Sequence, residues 1–243
     1  MRDLIRSLLF NIWFIGATLV MGSAGIPVRL FARHRALGLA QNWARLVLLG
    51  LYPLARIRVE VSGREHLPTA GPAMIASQHR SAFDTVVWLT LLPRTAYVMK
   101  EELQRIPLFG PLLRPAGQIP VNRDAGAAAL RGLLKGADQA MAEGRQIVIF
   151  PEGTRVAPGA QVKLHPGVAA LAARLQLPVI PVATDSGRCW GRRSFRKRPG
   201  TIHIAVQPPL PVGLKRQELT EALLRAWREG EENFAQAVDK SVG

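Results

Sequence analysis

A stretch without charge near the start of the chain places the strongest limit on its fold. Residues 7–28 include no charged side chain, and about 20 consecutive apolar residues are enough to cross a bilayer. Arginines flank the stretch at both ends: Arg2, Arg6, Arg29, Arg33 and Arg35. A spanning helix, a hairpin that enters the bilayer without crossing it and a secretory signal peptide all fit this pattern. The stretch therefore predicts membrane attachment and leaves the number of crossings open.

A second apolar pattern follows the first. Between residues 43 and 54, apolar side chains recur at the spacing of an amphipathic helix: Trp43, Leu46, Val47, Leu51 and Leu54. Such a helix can lie in the lipid interface or pack on the domain that follows. We assign residues 1–54 to an N-terminal membrane-anchoring helical segment.

The formal net charge of +15 on an apolar chain indicates a polyanion partner, either nucleic acid or an anionic membrane surface. Zinc-ligand spacing and an RNA-binding aromatic strand pattern are missing, and two tyrosines offer little base stacking, so we expect no nucleic-acid partner. The densest basic run fits a solvated loop or an anion-facing patch: Arg188, Arg192, Arg193, Arg196, Lys197 and Arg198. The single cysteine, Cys189, excludes a disulfide framework and a cysteine zinc site.

Short apolar strands alternate with helices after about residue 55. Strands are predicted over residues 57–61, 73–77, 96–99, 117–121, 146–150, 179–183 and 202–206. Helices are predicted over 85–92, over 130–141 with Asp124 as the cap, and over 167–175. The alternation predicts an α/β fold with a largely parallel central sheet flanked by helices. We assign residues 55–214 to this domain and 215–243 to a C-terminal helix packed on it or trailing it.

Polar side chains follow the predicted strands. His79, Lys100, Arg123, Glu152 and Arg155 each come shortly after a strand ends. Open α/β sheets bind ligands beyond the carboxyl ends of their strands. We therefore expect these residues to line one ligand-binding cleft at that edge of the sheet.

His79 and Asp84 form the sharpest chemical pattern. If His79 lies in a loop and Asp84 in the first turn of the next helix, the carboxylate fixes the imidazole tautomer and raises the basicity of the second ring nitrogen. This pair without a protein nucleophile suits removal of a proton from a substrate hydroxyl. Taken alone, the pattern also fits a surface histidine beside a helix-start aspartate.

Residues 150–155, Phe-Pro-Glu-Gly-Thr-Arg, place a carboxylate, a glycine, a hydroxyl and a guanidinium directly after a buried strand. Gly153 permits close approach of the backbone to a ligand, and Arg155 offers a planar fork for phosphate oxygens. A turn with a surface Glu–Arg pair fits the same residues.

Together these segments resemble the glycerophospholipid acyltransferase family, and within it the 1-acylglycerol-3-phosphate acyltransferases. The family's Asn-His-x-Ser-x-x-Asp block matches residues 78–84, its Gly-x-x-x-Ile-Asp-Arg block matches 117–123, and its Phe-Pro-Glu-Gly-Thr-Arg block is complete at 150–155. An apolar-Pro-apolar block matches 180–182, so the resemblance covers about residues 55–210. The chain departs from the pattern at Gln78, Asn122 and Val156, where asparagine, aspartate and serine are usual.

The resemblance implies transfer of an acyl group from acyl-CoA or acyl carrier protein to the sn-2 hydroxyl of 1-acylglycerol-3-phosphate, a lysophosphatidate, forming phosphatidic acid. His79 is then the general base and Asp84 orients it. No metal, no cofactor and no acyl-enzyme intermediate is expected, so Ser81 and Cys189 are not expected to be nucleophiles.

The resemblance also implies roles for the binding residues. Arg123 and Arg155 would hold the acceptor phosphate, and Lys100 would stabilise charge on the thioester oxygen. Glu152 with Gly153 would shape the glycerol site, and Thr154 is a further substrate-binding candidate.

Two other functions remain open at the level of sequence. One is O-acyl transfer to a different lysolipid, such as a lyso-ornithine lipid, and the other is an inactive lipid-binding protein at the membrane surface. Phosphoester hydrolysis is disfavoured because the scattered carboxylates form no metal-binding spacing. We expect the chain at the inner membrane, attached to phospholipid, with its catalytic domain on the cytoplasmic face.

Overall fold

The computed structural model of the chain describes residues 1–157, 160 and 163–242, and side chains as far as Phe234. Gly243, the last residue of the predicted C-terminal segment, lies outside the described residues. Three helices come first: α1 (Arg2–Phe31), α2 (Ala36–Leu49) and α3 (Leu51–Ala55). The predicted amphipathic helix over 43–54 is therefore divided between α2 and α3 at Gly50.

Helix α1 contains the uncharged stretch and has two unlike sides. Its buried side consists mostly of small residues that let it approach the rest of the chain: Ser7, Phe10, Ala17, Gly22 and Gly25. Large apolar side chains cover the exposed side: Leu4, Ile5, Leu8, Leu9, Ile12, Ile15, Leu19, Val20, Ile26, Leu30 and Phe31. Within the described part of the chain, α1 is the one helix long and apolar enough to cross a membrane.

Seven strands form one sheet. They are β1 (Ile57–Ser62), β2 (Ala73–Ser77), β3 (Thr95–Lys100), β4 (Ile119–Val121), β5 (Gln146–Ile149), β6 (Val179–Thr184) and β7 (Gly200–Val206), in the order β1-β7-β6-β2-β5-β3-β4. All neighbouring pairs are parallel except β6 and β7, which are antiparallel. The predicted α/β fold with a largely parallel sheet is confirmed.

Helices cover both faces of the sheet, and the strands in its middle are therefore buried on both sides. The later helices are α4 (Phe83–Leu91), α5 (Gly110–Leu113), α6 (Ala127–Ala142), α7 (Gly167–Leu175) and α8 (Arg216–Val242). On β2, Ile75 packs with α1, α2 and α4, whereas Met74 and Ala76 pack with α6, α7 and α8. The alternation of side chains along a strand thus divides the core into two layers.

Two local features differ from simple sequence reasoning. The prediction that Asp124 caps the helix after β4 is wrong, because α6 begins at Ala127 and the Asn122 side chain instead accepts from the Asp124 amide in a short 3₁₀ turn. Pro120 is accommodated because β4 lies at the sheet edge, where a missing N–H donor is tolerated.

Candidate active site

The carboxyl ends of five strands meet at one edge of the sheet. Strands β2 to β6 all run in the same direction, so the segments that follow them lie together. Six of the eight predicted site residues line one cavity at this edge: His79, Lys100, Arg123, Gly153, Thr154 and Arg155. Glu152 follows β5 as well, but it lies behind the cavity and does not line it.

His79 and Asp84 come together as the spacing predicted. Nδ1 of His79 lies 3.1 Å from Oδ2 of Asp84, which leaves Nε2 as the ring atom available to a ligand. The imidazole stacks on Phe150 with ring centroids 4.3 Å apart, and its side chain is 13% exposed. The ring is therefore held in one orientation at the cavity wall.

Asp84 is fixed by the start of α4. It is 2% exposed, and its Oδ2 also accepts from the backbone amides of Arg80 and Ser81, each at 2.7 Å. Its other oxygen, Oδ1, accepts from the Ser186 hydroxyl at 2.6 Å. Hydrogen bonds thus hold both oxygens of the carboxylate and keep Asp84 turned toward His79.

Glu152 supports the His79 loop from behind. Its Oε2 accepts from the His79 amide at 2.6 Å, and its Oε1 accepts from the Arg80 guanidinium at 3.0 Å. Burial raises the pKa of the Glu152 carboxyl to about 7, against the opposing effect of Arg80 and the His79 amide. The structure therefore places Glu152 as a support of the loop, whereas the resemblance implied contact with glycerol.

A further carboxylate reaches this loop from the C-terminal helix. Oε1 of Glu231, on α8, accepts from Arg80 Nη2 at 3.2 Å and from Gln78 Nε2 at 2.8 Å. Gln78, which replaces the usual asparagine, also accepts from the Thr184 amide at 3.0 Å. Sequence reasoning missed Glu231 because 151 residues separate it from Arg80. It also missed Ser186, although that residue follows β6 in the same way that His79 follows β2.

The loop after β5 turns sharply beside the cavity. Gly153 has φ +68, a left-handed conformation, and a Cβ there would lie 2.6 Å from the His165 ring and 3.2 Å from Nη1 of Arg123. The Gly153 carbonyl accepts from the Arg123 guanidinium. Glycine thus allows the loop to lie against Arg123, and Thr154 lines the cavity next to it.

The cavity has a volume of about 550 Å³, within the range of small-molecule sites. Much of its wall is apolar and comes partly from the N-terminal helices: Met21, Gly22, Leu39, Trp43, Leu89 and Leu112. Its polar part carries five cationic side chains: Lys100, Arg123, Arg155, Arg192 and Arg193. The cavity therefore combines a lipid-like interior with an anion-binding part beside His79.

The two other candidate nucleophiles are inaccessible. Ser81 is fully buried, and its hydroxyl oxygen accepts from the Phe83 amide. Cys189 is 5% exposed, and burial raises the pKa of its thiol to about 11. Among the described residues, no group of three or more histidine, cysteine, aspartate or glutamate side chains is arranged to hold a metal ion.

The fold and site define an acyltransferase, and comparison with known proteins agrees. The profile of the Acyltransferase family matches residues 58–185. The chain belongs to this family.

Curated relatives and a solved structure are similar to the chain. A 1-acyl-sn-glycerol-3-phosphate acyltransferase of Pseudomonas aeruginosa is 34% identical over 210 residues, covering 85% of this chain and 80% of that protein. The alpha enzyme of that name from Bos taurus is 32% identical over 70% of this chain, which spans 61% of the bovine protein's length. The crystal structure of the 1-acyl-sn-glycerophosphate (LPA) acyltransferase PlsC from Thermotoga maritima superposes with a TM-score of 0.75 over 96% of this chain and 98% of that one, at 22% identity. The last likeness shows the fold alone.

Proposed function

We propose that the protein transfers an acyl group from a thioester donor, acyl-CoA or acyl carrier protein, to the sn-2 hydroxyl of 1-acylglycerol-3-phosphate. The observation that carries this proposal is the His79–Asp84 pair, 3.1 Å apart, at the wall of a cavity that is apolar inside and cationic beside the pair. The names of the P. aeruginosa and bovine relatives support the choice of acceptor.

In the proposed reaction Nε2 of His79 takes the proton of the acceptor hydroxyl as its oxygen attacks the thioester carbonyl. The C–S bond then breaks, the new ester C–O bond remains, and His79 returns the proton to the leaving sulfur as a thiol. Asp84 stabilises the imidazolium that forms in between, because its charge lies against Nδ1. The acyl donor is a substrate in this scheme, and no resident cofactor or metal takes part.

The cavity suggests how two substrates are held. Its apolar walls from α1, α2 and α5 suit acyl chains, while Arg123 and Arg155 suit the acceptor phosphate because a guanidinium binds phosphate through a fork of donors. Lys100 ends β3 at the same cavity, where it suits the developing charge on the thioester oxygen. Holding both substrates in place supplies much of the rate enhancement in such a reaction.

We further propose that α1 attaches the protein to one leaflet and does not cross the bilayer. Contacts with the rest of the chain run along α1: Ser7 bonds to Lys197, Trp13 to the Leu46 carbonyl, and Gly25 abuts Leu112. A helix that contacts its domain at both ends cannot cross the bilayer while the domain stays outside. In this arrangement the exposed apolar side of α1 enters the inner membrane from the cytoplasmic face.

The proposal is tested with purified protein in detergent micelles, supplied with lysophosphatidate and either palmitoyl-CoA or palmitoyl acyl carrier protein. We expect phosphatidic acid as the product. His79→Ala should lower kcat by about 10²–10⁴-fold, the range typical of general-base catalysis, without loss of folding. His66→Ala, which changes a histidine that does not line the cavity, is the matched control.

The outcomes separate the alternatives. Product from a lyso-ornithine lipid but not from lysophosphatidate would replace the proposed acceptor and keep the chemistry. Binding of lipid without product from any lysolipid would indicate a lipid-binding protein, and full turnover by His79→Ala would remove His79 as the base.

A further inference from the structure

Five residues of the basic run after β6 fall into three kinds, and the sixth, Arg198, is exposed and does not line the cavity. Arg188 pairs with Asp185 at 3.6 Å and Arg196 pairs with Asp3 at 3.7 Å, so carboxylates partner both. Lys197 is buried, 3% exposed, against Trp190 and the start of α1. Arg192 and Arg193 are exposed and line the cavity of His79. No carboxylate in the described part of the chain lies within salt-bridge distance of either.

The loop that carries these two arginines is held firmly. Its two sides are joined by the β-bridge between Trp190 and Lys197 and by a bond from the Arg198 amide to the Cys189 carbonyl. The Lys197 amide donates to the Ser7 hydroxyl at 2.8 Å, which ties the loop to α1. Arg193 has φ +52, a left-handed conformation that costs a side-chain-bearing residue free energy. The anchored loop therefore keeps both guanidiniums at the cavity.

Arg155 lies next to this pair. Nη1 of Arg192 donates to the Arg155 carbonyl at 3.4 Å, and burial together with the charges of Arg192 and Arg193 lowers the pKa of the Arg155 guanidinium. Like charges this close repel one another unless an anion lies between or beside them. The described residues supply no carboxylate partner to Arg192 or Arg193, so a ligand with negative charge fits here.

The proposed reaction brings two phosphorylated molecules to one cavity. The acceptor carries one phosphomonoester, which Arg123 and Arg155 are proposed to hold. The donor carries its thioester on a phosphopantetheine arm, whose far end bears a phosphate in both acyl-CoA and acyl carrier protein. When the thioester lies at His79, the length of the arm separates that phosphate from the reacting atoms, so it needs a binding group apart from them.

We propose that Arg192 and Arg193 form a second phosphate subsite, which binds the phosphate at the end of the donor's phosphopantetheine arm. This inference rests on the proposed function and adds the residues that recognise the acyl donor. Guanidiniums suit this task because each binds phosphate oxygens through paired, charge-assisted hydrogen bonds.

The test compares donors with and without the phosphate. Arg192→Gln/Arg193→Gln should raise the KM for palmitoyl-CoA about tenfold to a hundredfold, since charge-assisted hydrogen bonds are lost. The KM for lysophosphatidate and the kcat should stay within about twofold. With palmitoyl-pantetheine, which lacks the phosphate, variant and unaltered protein should have equal kcat/KM. Arg198→Gln, an exposed arginine of the same loop that does not line the cavity, is the control and should change neither KM.

A binding measurement separates this proposal from the proposed function. Calorimetry with the thioether analogue of palmitoyl-CoA reports donor affinity even if lysophosphatidate proves to be the wrong acceptor. The double variant should bind this analogue more weakly than the unaltered protein does, and both proteins should bind the thioether of palmitoyl-pantetheine with equal affinity. An increase in the KM for lysophosphatidate alone would assign the arginines to the acceptor, and loss of vesicle binding with unchanged donor affinity would assign them to the membrane. Either result overturns the donor subsite.

Discussion

At the scale of single residues, Asp84 connects the candidate base to the fold. Its oxygens accept from the His79 ring, two backbone amides and the Ser186 hydroxyl. An asparagine can keep this set, with its carbonyl oxygen toward the three N–H groups and its amide toward Ser186, whose hydroxyl then accepts. Charge can therefore be removed at this position while the geometry is kept.

Asp84→Asn should lower kcat by about 10²–10⁴-fold, because the imidazolium formed during the reaction loses its counter-charge. The midpoint of urea unfolding should change little. A second His–Asp pair in the chain supplies the control: Nδ1 of His203 lies 3.0 Å from Asp185, and neither residue lines the cavity. Asp185→Asn should keep kcat within twofold, and an equal loss in both variants would contradict a catalytic role for the first pair.

Glu152 predicts a pH dependence of stability. Its pKa is raised by burial from 4.5 to about 7 in the folded protein, so between these values the unfolded chain binds fewer protons than the folded one. The contribution of Glu152 to the free energy of unfolding is present below about pH 4.5 and falls by about 3 kcal/mol as pH rises through 7. In Glu152→Gln this decrease in the free energy of unfolding with rising pH should be absent. Urea unfolding at pH 4.5 and pH 8 measures the free energy of unfolding of the unaltered protein and of the variant. An equal change between the two pH values in both proteins would contradict the prediction.

Contacts between site residues close in sequence were predictable, and contacts between residues far apart in sequence were not. The spacing of His79 and Asp84 predicted their contact because a short loop joins His79 to the first turn of α4, where Asp84 lies. The contacts of Arg80 with Glu152 and Glu231 depend on how the β5 loop and α8 dock. Each carboxylate alone looks like any solvated acidic residue, and the residue pattern gives no register for α8.

At the scale of elements, α8 reaches the His79 loop through Glu231. Glu231 holds Arg80 and Gln78, which flank His79 in the chain. Because Glu231 touches no part of the cavity, we regard it as a positioning residue.

Glu231→Gln should lower kcat about threefold to tenfold with little change in either KM, because substrates bind as before while the His79 loop is held less firmly. Glu232→Gln is the matched control, since the described part of the chain shows no hydrogen bond or ion pair for Glu232. Glu231→Asp, which keeps the charge, should recover part of the loss. A shift in KM with unchanged kcat would argue against positioning.

The junction of α2 and α3 depends on Gly50. A Cβ at this position would lie 2.4 Å from the Trp13 ring, whereas a Cβ at Gly38 would meet nothing within 4 Å. Gly50→Ala should therefore lower the thermal midpoint by displacing Trp13 from α2. Gly38→Ala should raise it slightly, because alanine favours a helix over glycine by about 1 kcal/mol. Thermal unfolding of both variants in detergent measures these midpoints. Equal changes in the two midpoints would show that Trp13 of α1 does not pack on Gly50.

Helices and strands were predictable wherever apolar residues recur at the spacing of a helix or a strand. Alternating strands and helices gave the sheet, but short apolar strands carry no signal of direction, so the antiparallel pairing of β6 with β7 could not be read from them. Gly50 divides the apolar stripe over residues 43–54 between α2 and α3, and its close approach to Trp13 exists only in the folded chain.

At the scale of the whole molecule, attachment to the membrane has an apolar and an electrostatic part. The apolar part is the exposed side of α1, and the electrostatic part is the excess of basic residues that gives +15. These respond differently to salt, because screening acts on exposed charges and leaves apolar burial in place.

Ile12→Asp/Leu19→Asp places charge on two exposed positions of α1, 59% and 56% accessible. Binding to vesicles with anionic lipid should fall at least tenfold, because each substitution puts a carboxylate into the acyl region. Flotation in 0.1 M and 1 M NaCl should show that salt alone releases only part of the unaltered protein. Complete release by salt would contradict insertion of α1.

Helices α1 and α2, which we propose to hold the protein at the bilayer, also form part of the cavity wall, through Met21, Gly22 and Trp43. Deleting residues 1–54 would open that wall, so no soluble, active fragment follows from simple truncation. An enzyme built in this way meets its acceptor within the plane of the lipid. Its rate should follow the mole fraction of lysolipid in the surface, and adding inert lipid at constant total lysolipid should slow it by surface dilution.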